Sequence, residues 1–228
     1  MIWRAVGLAW VAVLLIGLPL SSGALGRRLR EEPFSRMAIY ANVLLSHIVL
    51  IVPTLLIDLA GGRAGIRLIE RGLPRLPLLF WTLGTLAACL AGWAGMLLEA
   101  RARKGNPDTV VLHLLPRTGK ERAVFFCVSV TAGFTEEYLW RGFCFALLAQ
   151  ASGSVLLAFL TTSLAFGLAH LYQGTRGVLR ATLLGAILAI PVVVTGSLVP
   201  SMIAHTGIDM ISGRWSLEIL RSWGVATE

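Results

Sequence analysis

Charge is scarce in this 228-residue chain. Asp, Glu, Lys and Arg make up 14% of it, where a soluble domain carries about 25%. Hydrophobic residues make up 56%, and the mean hydropathy is +0.78. The apolar residues run in blocks too long for the core helices of a soluble protein, which excludes that class. Cysteine is scarce too. Cys89, Cys127 and Cys144 each lie inside an apolar block. They offer no disulfide framework and no metal-ligand spacing, so they read as small buried hydrophobes. Lysine is nearly absent, and arginine supplies most of the basic excess behind a net charge of +8. Such an excess can mark a nucleic-acid binder. Here the basic residues cluster between apolar blocks, where membrane topology places them, so nucleic acid is excluded as a partner. No internal repeat or low-complexity segment is present. The composition predicts an all-α, polytopic transmembrane bundle forming a single domain over residues 1–228.

Taken in order, the blocks predict about seven spans, within a range of six to eight. They are Ile2 to Leu20, Met37 to Ala60, Leu78 to Leu98, Ala123 to Gln150, Val155 to Tyr172, Val178 to Val194, and a last span from near Leu198. The first resembles a signal peptide, with Arg4, an apolar run and Ser22-Gly23-Ala24. The cluster Arg27, Arg28 and Arg30 argues against cleavage, and the helix is read as retained. In the second span His47 reads as packed or hydrogen-bonded, because no acid or second His stands one turn away. Asp58 is placed near that span's end, within reach of the interface. Arg63, Arg67 and Arg71 recur at spacing four and predict an interfacial helix over anionic headgroups. The run 110–115, which includes His113, reads as an interfacial turn. With the N-terminus outside, most of the arginine-rich loops fall on the inner side, which predicts an N-out, C-in arrangement.

One stretch dominates the chemistry: A-G-F-T-E-E-Y-L-W-R-G-F over 132–143. Two adjacent acids inside an apolar span are expensive to keep, and intramembrane ionisable groups mark function by default. On a helix Glu137 and Arg141 lie one turn apart on one face, so they can neutralise each other. Glu136 points about 100° away. This predicts a structural pair, Glu137 with Arg141, and a free acid, Glu136. Further on, Phe166 and His170 are one turn apart, as are His205 and Asp209. Three polar helices in the segment 123–220 therefore converge. A Glu positioned there can act as general base on water. His170 can orient that water, and His205 with Asp209 can hold the carbonyl oxygen or the water from the other side. Asp209 donates to an oxyanion only when protonated and otherwise orients His205. The set suits hydrolysis of a peptide bond inside a membrane.

E-E-Y-L-W-R-G-F, then F-G-L-A-H-L-Y-Q-G, then H-T-G-I-D resembles the CPBP family of intramembrane proteases, which includes the CAAX and bacteriocin-processing proteases. The family pattern EExxxR, FxxxH, HxxxN or HxxxD is present in order from Glu136 to Asp209. The resemblance implies an endopeptidase with Glu136 activating water, His170 as its partner, and His205 and Asp209 stabilising the intermediate. Glu137, Arg141 and Phe166 support them. The substrate would be a membrane-embedded or membrane-associated protein or peptide. Eukaryotic relatives cleave prenylated C-termini. The Arg-rich, short-looped chain looks bacterial, which points to the cytoplasmic membrane and away from that substrate. The resemblance leaves the metal open: Zn²⁺ could be held by His170, His205 and Glu136, with a position left for water. There is no H-E-x-x-H. Helix-rise arithmetic places His170 roughly one to two turns from the depth shared by Glu136 and His205. A bridging water tolerates that offset better than direct coordination, which favours a metal-free site. The competing classes are a proton-coupled transporter, for which no paired halves with broken helices are visible, and a non-catalytic membrane scaffold or immunity protein.

Overall fold

The computed structural model describes residues 2–31, 35–102, 112 and 114–225. No strand occurs among them. Helix α1 spans Ile2–Glu31, α2 Arg36–Gly61, α3 Ala64–Glu70 and α4 Arg75–Ala102. Next comes one long helical rod: α5 (Gly119–Glu137), a π-helical segment (Tyr138–Cys144) and α6 (Phe145–Ser152). Helix α7 spans Val155–Leu168, a 3₁₀ turn Leu171–Gln173, α8 Gly174–Thr195 and α9 Val199–Ser222. Among the described residues, four helices are long and apolar enough to cross a membrane by length and composition: α1, α2, α4 and the unit Leu171–Thr195. Apolar side chains such as Leu45, Val49, Leu79, Phe80, Leu160 and Leu183 stay exposed on the helix surfaces. Exposed faces of this kind suit hydrocarbon rather than water.

Local chemistry sets the breaks. Helix α5 starts earlier than the expected Ala123, because Thr118 and Glu121 form a capping box. Thr118 Oγ1 accepts from the Glu121 amide at 3.2 Å, and Glu121 Oε2 accepts from the Thr118 amide at 2.9 Å. Gly153, at φ 68°, stops α6 in a left-handed conformation that glycine adopts without strain. Pro200 sits in the first turn of α9, where its missing N–H costs nothing.

Helix α7 corrects the expected fifth span. It ends at Leu168 after 14 residues, about 21 Å of rise against a ~30 Å hydrocarbon core. The apolar sequence continues, but the helix does not. The His170 ring takes the carbonyl that its own amide would need: Nδ1–H donates to Phe166 O at 2.8 Å, while the amide turns to Gly167 O. His170 therefore stands in a turn beyond the helix.

The π-helical segment lies at the centre, and all seven of its residues are buried. Leu139, Trp140, Phe143 and Cys144 pack with Val11 and Leu14 of α1 and with Phe166 of α7. Helix α5 packs against α2 and α9, and α9 also packs against α4. The approaches are close. A Cβ on Gly133 would stand 2.1 Å from Thr206 Oγ1, and one on Gly26 would stand 2.7 Å from the Tyr172 backbone.

Two expectations are revised here. Asp58 does not reach an interface; it is 3% exposed and turned inward. Its carboxylate accepts from the amides of Gly65 (3.2 Å) and Ile66 (2.9 Å), and from Tyr138 O–H (2.6 Å). It thereby caps α3 and ties it to the π-helical segment. The arginine stripe Arg63, Arg67 and Arg71 is exposed as expected, with Arg63 paired to Glu70. Cys89 and Cys144 are buried, but Cys127 is exposed; a helix face turned to lipid accepts the small thiol as readily as a core does. Half of the run 110–115, His113 included, lies outside the described residues. Leu112 and Leu115 pack against Leu97, Ala100, Leu217 and Leu220.

Candidate active site

The π-helical segment begins at the residue after the two acids, and their environments diverge at once. Glu137 is fully buried, and so is Arg141; Nη1 donates to Oε1 at 2.9 Å. The same oxygen accepts from His205 Nδ1 at 2.8 Å. Arg141 also lies over the Phe166 ring, with Cζ 4.2 Å from the ring centroid. Its Nε and Nη2 have no hydrogen-bond partner, so the aromatic face takes part of its charge. Phe166 is flanked by both histidines, with ring centroids 4.7 Å from His170 and 6.0 Å from His205. One buried aromatic ring thus sets the spacing of Arg141, His170 and His205.

Glu136 is different. Its side chain keeps 21% of its surface exposed, and its hydrogen bond runs to His47 Nε2 of α2 at 3.1 Å. It lies within electrostatic reach of His47, His170 and His205. Asp209 is 32% exposed, and its Oδ2 stands 3.7 Å from His205 Nε2. That is too long for a hydrogen bond. The orienting partner of His205 is therefore Glu137 and not Asp209, because Glu137 holds Nδ1–H at 2.8 Å.

Glu136, His170, His205 and Asp209 thus gather around one site, with Glu137, Arg141 and Phe166 behind them. His170 stands in the turn after α7, with its ring centroid 4.7 Å from that of Phe166. His47 is buried and hydrogen-bonded as expected, but the sequence did not reveal Glu136 as its partner. The partner lies 89 residues away in sequence, and nothing one turn from His47 announces it. Also unforeseen was Ser22 Oγ of α1, which accepts from the Tyr172 amide at 3.0 Å and braces the His170 turn.

Each motif histidine has its Nδ1–H tied to an oxygen, leaving Nε2 toward the site. That disposition is common in zinc ligands. The donors themselves do not fit an ion in this arrangement: no three His, Cys, Asp or Glu side chains among the described residues are grouped to hold one. No step is therefore derived through a metal.

No curated protein and no solved structure matches the chain. Residues 118–211 match the family model described as type II CAAX prenyl endopeptidase Rce1-like. The matched segment begins at the cap of α5, ends two residues past Asp209, and holds every motif residue named above. At the level of the family the match supports an integral, multi-pass membrane protease. Over residues 118–211, then, the chain is similar to the Rce1-like CAAX prenyl endopeptidases of the CPBP family.

Proposed function

We propose that this chain is an intramembrane endopeptidase in which Glu136 activates water. One observation carries the assignment: of two adjacent acids, Glu137 is sealed by Arg141 and His205, while Glu136 stays partly exposed and bonded to His47 alone. Glu136 takes a proton from water as the oxygen attacks the scissile carbonyl carbon. The C–O bond forms and the carbonyl electrons move to oxygen. His205, fixed through Nδ1–H by Glu137, presents its Nε2 face to that oxygen and donates when Nε2 carries a proton. His170, whose Nδ1–H is held by Phe166 O, presents Nε2 to the water. The intermediate collapses with C–N cleavage, and the proton on Glu136 passes to the departing amine. Asp209, 3.7 Å from His205 Nε2, accepts from the water.

The reading takes the chain to cross the membrane seven times, with α7 as a short crossing. Arg4 at the start of α1 donates to the Gln150 carbonyl near the end of α6 at 2.9 Å, which places those ends together. Glu99 at the end of α4 pairs with Arg180 near the start of α8 at 2.7 Å. Both contacts agree with helices alternating in direction through α1, α2, α4, the α5–α6 rod, α7, α8 and α9. With arginines concentrated on the inner side, we place the chain N-out in a cytoplasmic membrane. The substrate is a membrane protein or peptide whose scissile bond enters between these helices. The test is quantification of protein termini in host membranes expressing the chain or Glu136→Gln. Termini made by the parent and absent with Glu136→Gln are expected. Identical termini from both would remove the assignment.

A further inference from the structure

The match ends at residue 118 on its N-terminal side, yet the hydrogen bond to Glu136 comes from α2. We infer that His47 is a positioning residue for Glu136, so that the site is complete only when α2 is docked. This rests on Glu136 being the general base.

His47 is a buried residue within an apolar helix, with 8% of its side chain exposed. A carboxylate accepts, so Nε2–H is the donor toward Glu136. The other nitrogen, Nδ1, is buried and has no hydrogen-bond partner among the described residues. In the neutral ring with hydrogen on Nε2, Nδ1 is an acceptor and carries no proton, so the unpaired atom is the cheaper of the two to bury. The tautomer that serves Glu136 is thus the one the surroundings tolerate.

The contact gives Glu136 what its own helix does not. A Glu side chain has three rotatable bonds, and this one stands near two other histidines and Arg141. A hydrogen bond to Oε1 fixes the plane of the carboxylate and leaves Oε2 free for water. A neutral donor does this without cancelling the charge that makes the carboxylate a base. An Arg at position 47 would form a closed pair like that of Glu137 and Arg141. Misplacing a reacting group by about 1 Å can cost 10²-fold in rate, so a loss on the order of 10- to 100-fold is expected when His47 is removed.

The experiment compares the parent, His47→Ala, His47→Gln and Glu136→Gln, expressed in the same host membrane at matched levels. Initial rates of appearance of Glu136-dependent termini and thermal unfolding in detergent are measured on each. Gln at 47 can place an amide N–H near the position of Nε2 and does not titrate. The expected pattern is a 10- to 100-fold slower rate for His47→Ala, recovery to within about fivefold for His47→Gln, and similar unfolding temperatures throughout. A second readout is independent of activity: the Nε2 resonance of ¹⁵N-labelled His47 is expected to shift when Glu136 becomes Gln. A parent-like rate for His47→Ala, or an unshifted resonance, overturns the role of His47 while leaving Glu136 intact. Equal loss in Ala and Gln variants with lowered unfolding temperatures assigns His47 to packing and overturns it as well. Active Glu136→Gln removes the base assignment and the role of His47 with it.

Discussion

Asp58 and Glu136 are two acids inside the same bundle, each bonded across the packing of α2 against the α5–α6 rod, and their surroundings differ sharply. Asp58 is 3% exposed and receives three donors, two of them backbone amides at the start of α3. Glu136 is 21% exposed and receives one, from a side chain. A carboxylate supplied by a helix start and a tyrosine has no reason to move and little capacity left to accept. One held on a single oxygen, with histidines around it, retains an oxygen for chemistry. Glu137 shows the same contrast at a distance of one residue. The difference lies in the donors the fold delivers, since the side chains are of one kind.

The first way to break this comparison is to neutralise each acid. Glu136→Gln is expected to lower the cleavage rate by about 10²–10⁴-fold, the range of a general base, with little change in unfolding temperature. Membrane-terminus quantification and thermal unfolding on the same preparations check both halves. A large stability loss with Glu136→Gln would make it a second Asp58.

Arg141→Ala tests the sealed acid. It strands Glu137 with only His205 beside it, in a fully buried site. Breaking a buried pair from one side costs about 3–5 kcal/mol. The expected readout is a large fall in unfolding temperature in detergent that Glu136→Gln does not share. Equal stability of the two variants would count against the division of roles between the adjacent acids.

Asp58→Ala sharpens the other side. It leaves the Gly65 and Ile66 amides and Tyr138 O–H without their acceptor, at about 1–3 kcal/mol for a buried unsatisfied group. The expected outcome is a moderately destabilised protein whose rate, measured below its unfolding temperature, stays within about fivefold of the parent. A rate loss matching that of Glu136→Gln at unchanged stability would place Asp58 in the chemistry.

How far these roles could be read from sequence depended on distance along the chain. Glu137 with Arg141 and Phe166 with His170 lie four residues apart, so helical periodicity pairs them without a fold. The all-α bundle follows from apolar block length alone. Asp58 was half legible: the run Asp58-Leu-Ala-Gly-Gly-Arg-Ala-Gly65 has an acid before a glycine turn and a new helix start, the pattern of a cap. Hydropathy outweighed that cue and placed it at an interface. The end of α7 was hidden because composition stays apolar through Leu171, while the helix is stopped by a ring nitrogen taking one carbonyl. The π-helical segment has no periodic signature over seven residues. The partner of His47 was out of reach, since only packing of α2 against α5 brings it to Glu136. Local chemistry was readable; chemistry assembled across helices was not.

The smallest expected effect is that of metal removal. A zinc ion needs its ligands at about 2.0–2.2 Å, and the donors here have other commitments. Glu136 Oε1 is with His47, and Asp209 stands 3.7 Å from His205 Nε2. Among the described residues no three His, Cys, Asp or Glu side chains are grouped to hold an ion. Helices α5 and α9 already meet closely, since a Cβ on Gly133 would stand 2.1 Å from Thr206 Oγ1. Dialysis against a chelator, followed by metal analysis and rate measurement, is therefore expected to leave cleavage within about twofold of the untreated protein. The same treatment is expected to leave the His47→Ala rate in its lowered position, since that loss is one of carboxylate orientation. Stoichiometric zinc in protein purified without chelator, with activity lost on its removal and restored on its return, would overturn the metal-free site and make the Nε2 atoms of His170 and His205 its first candidate ligands.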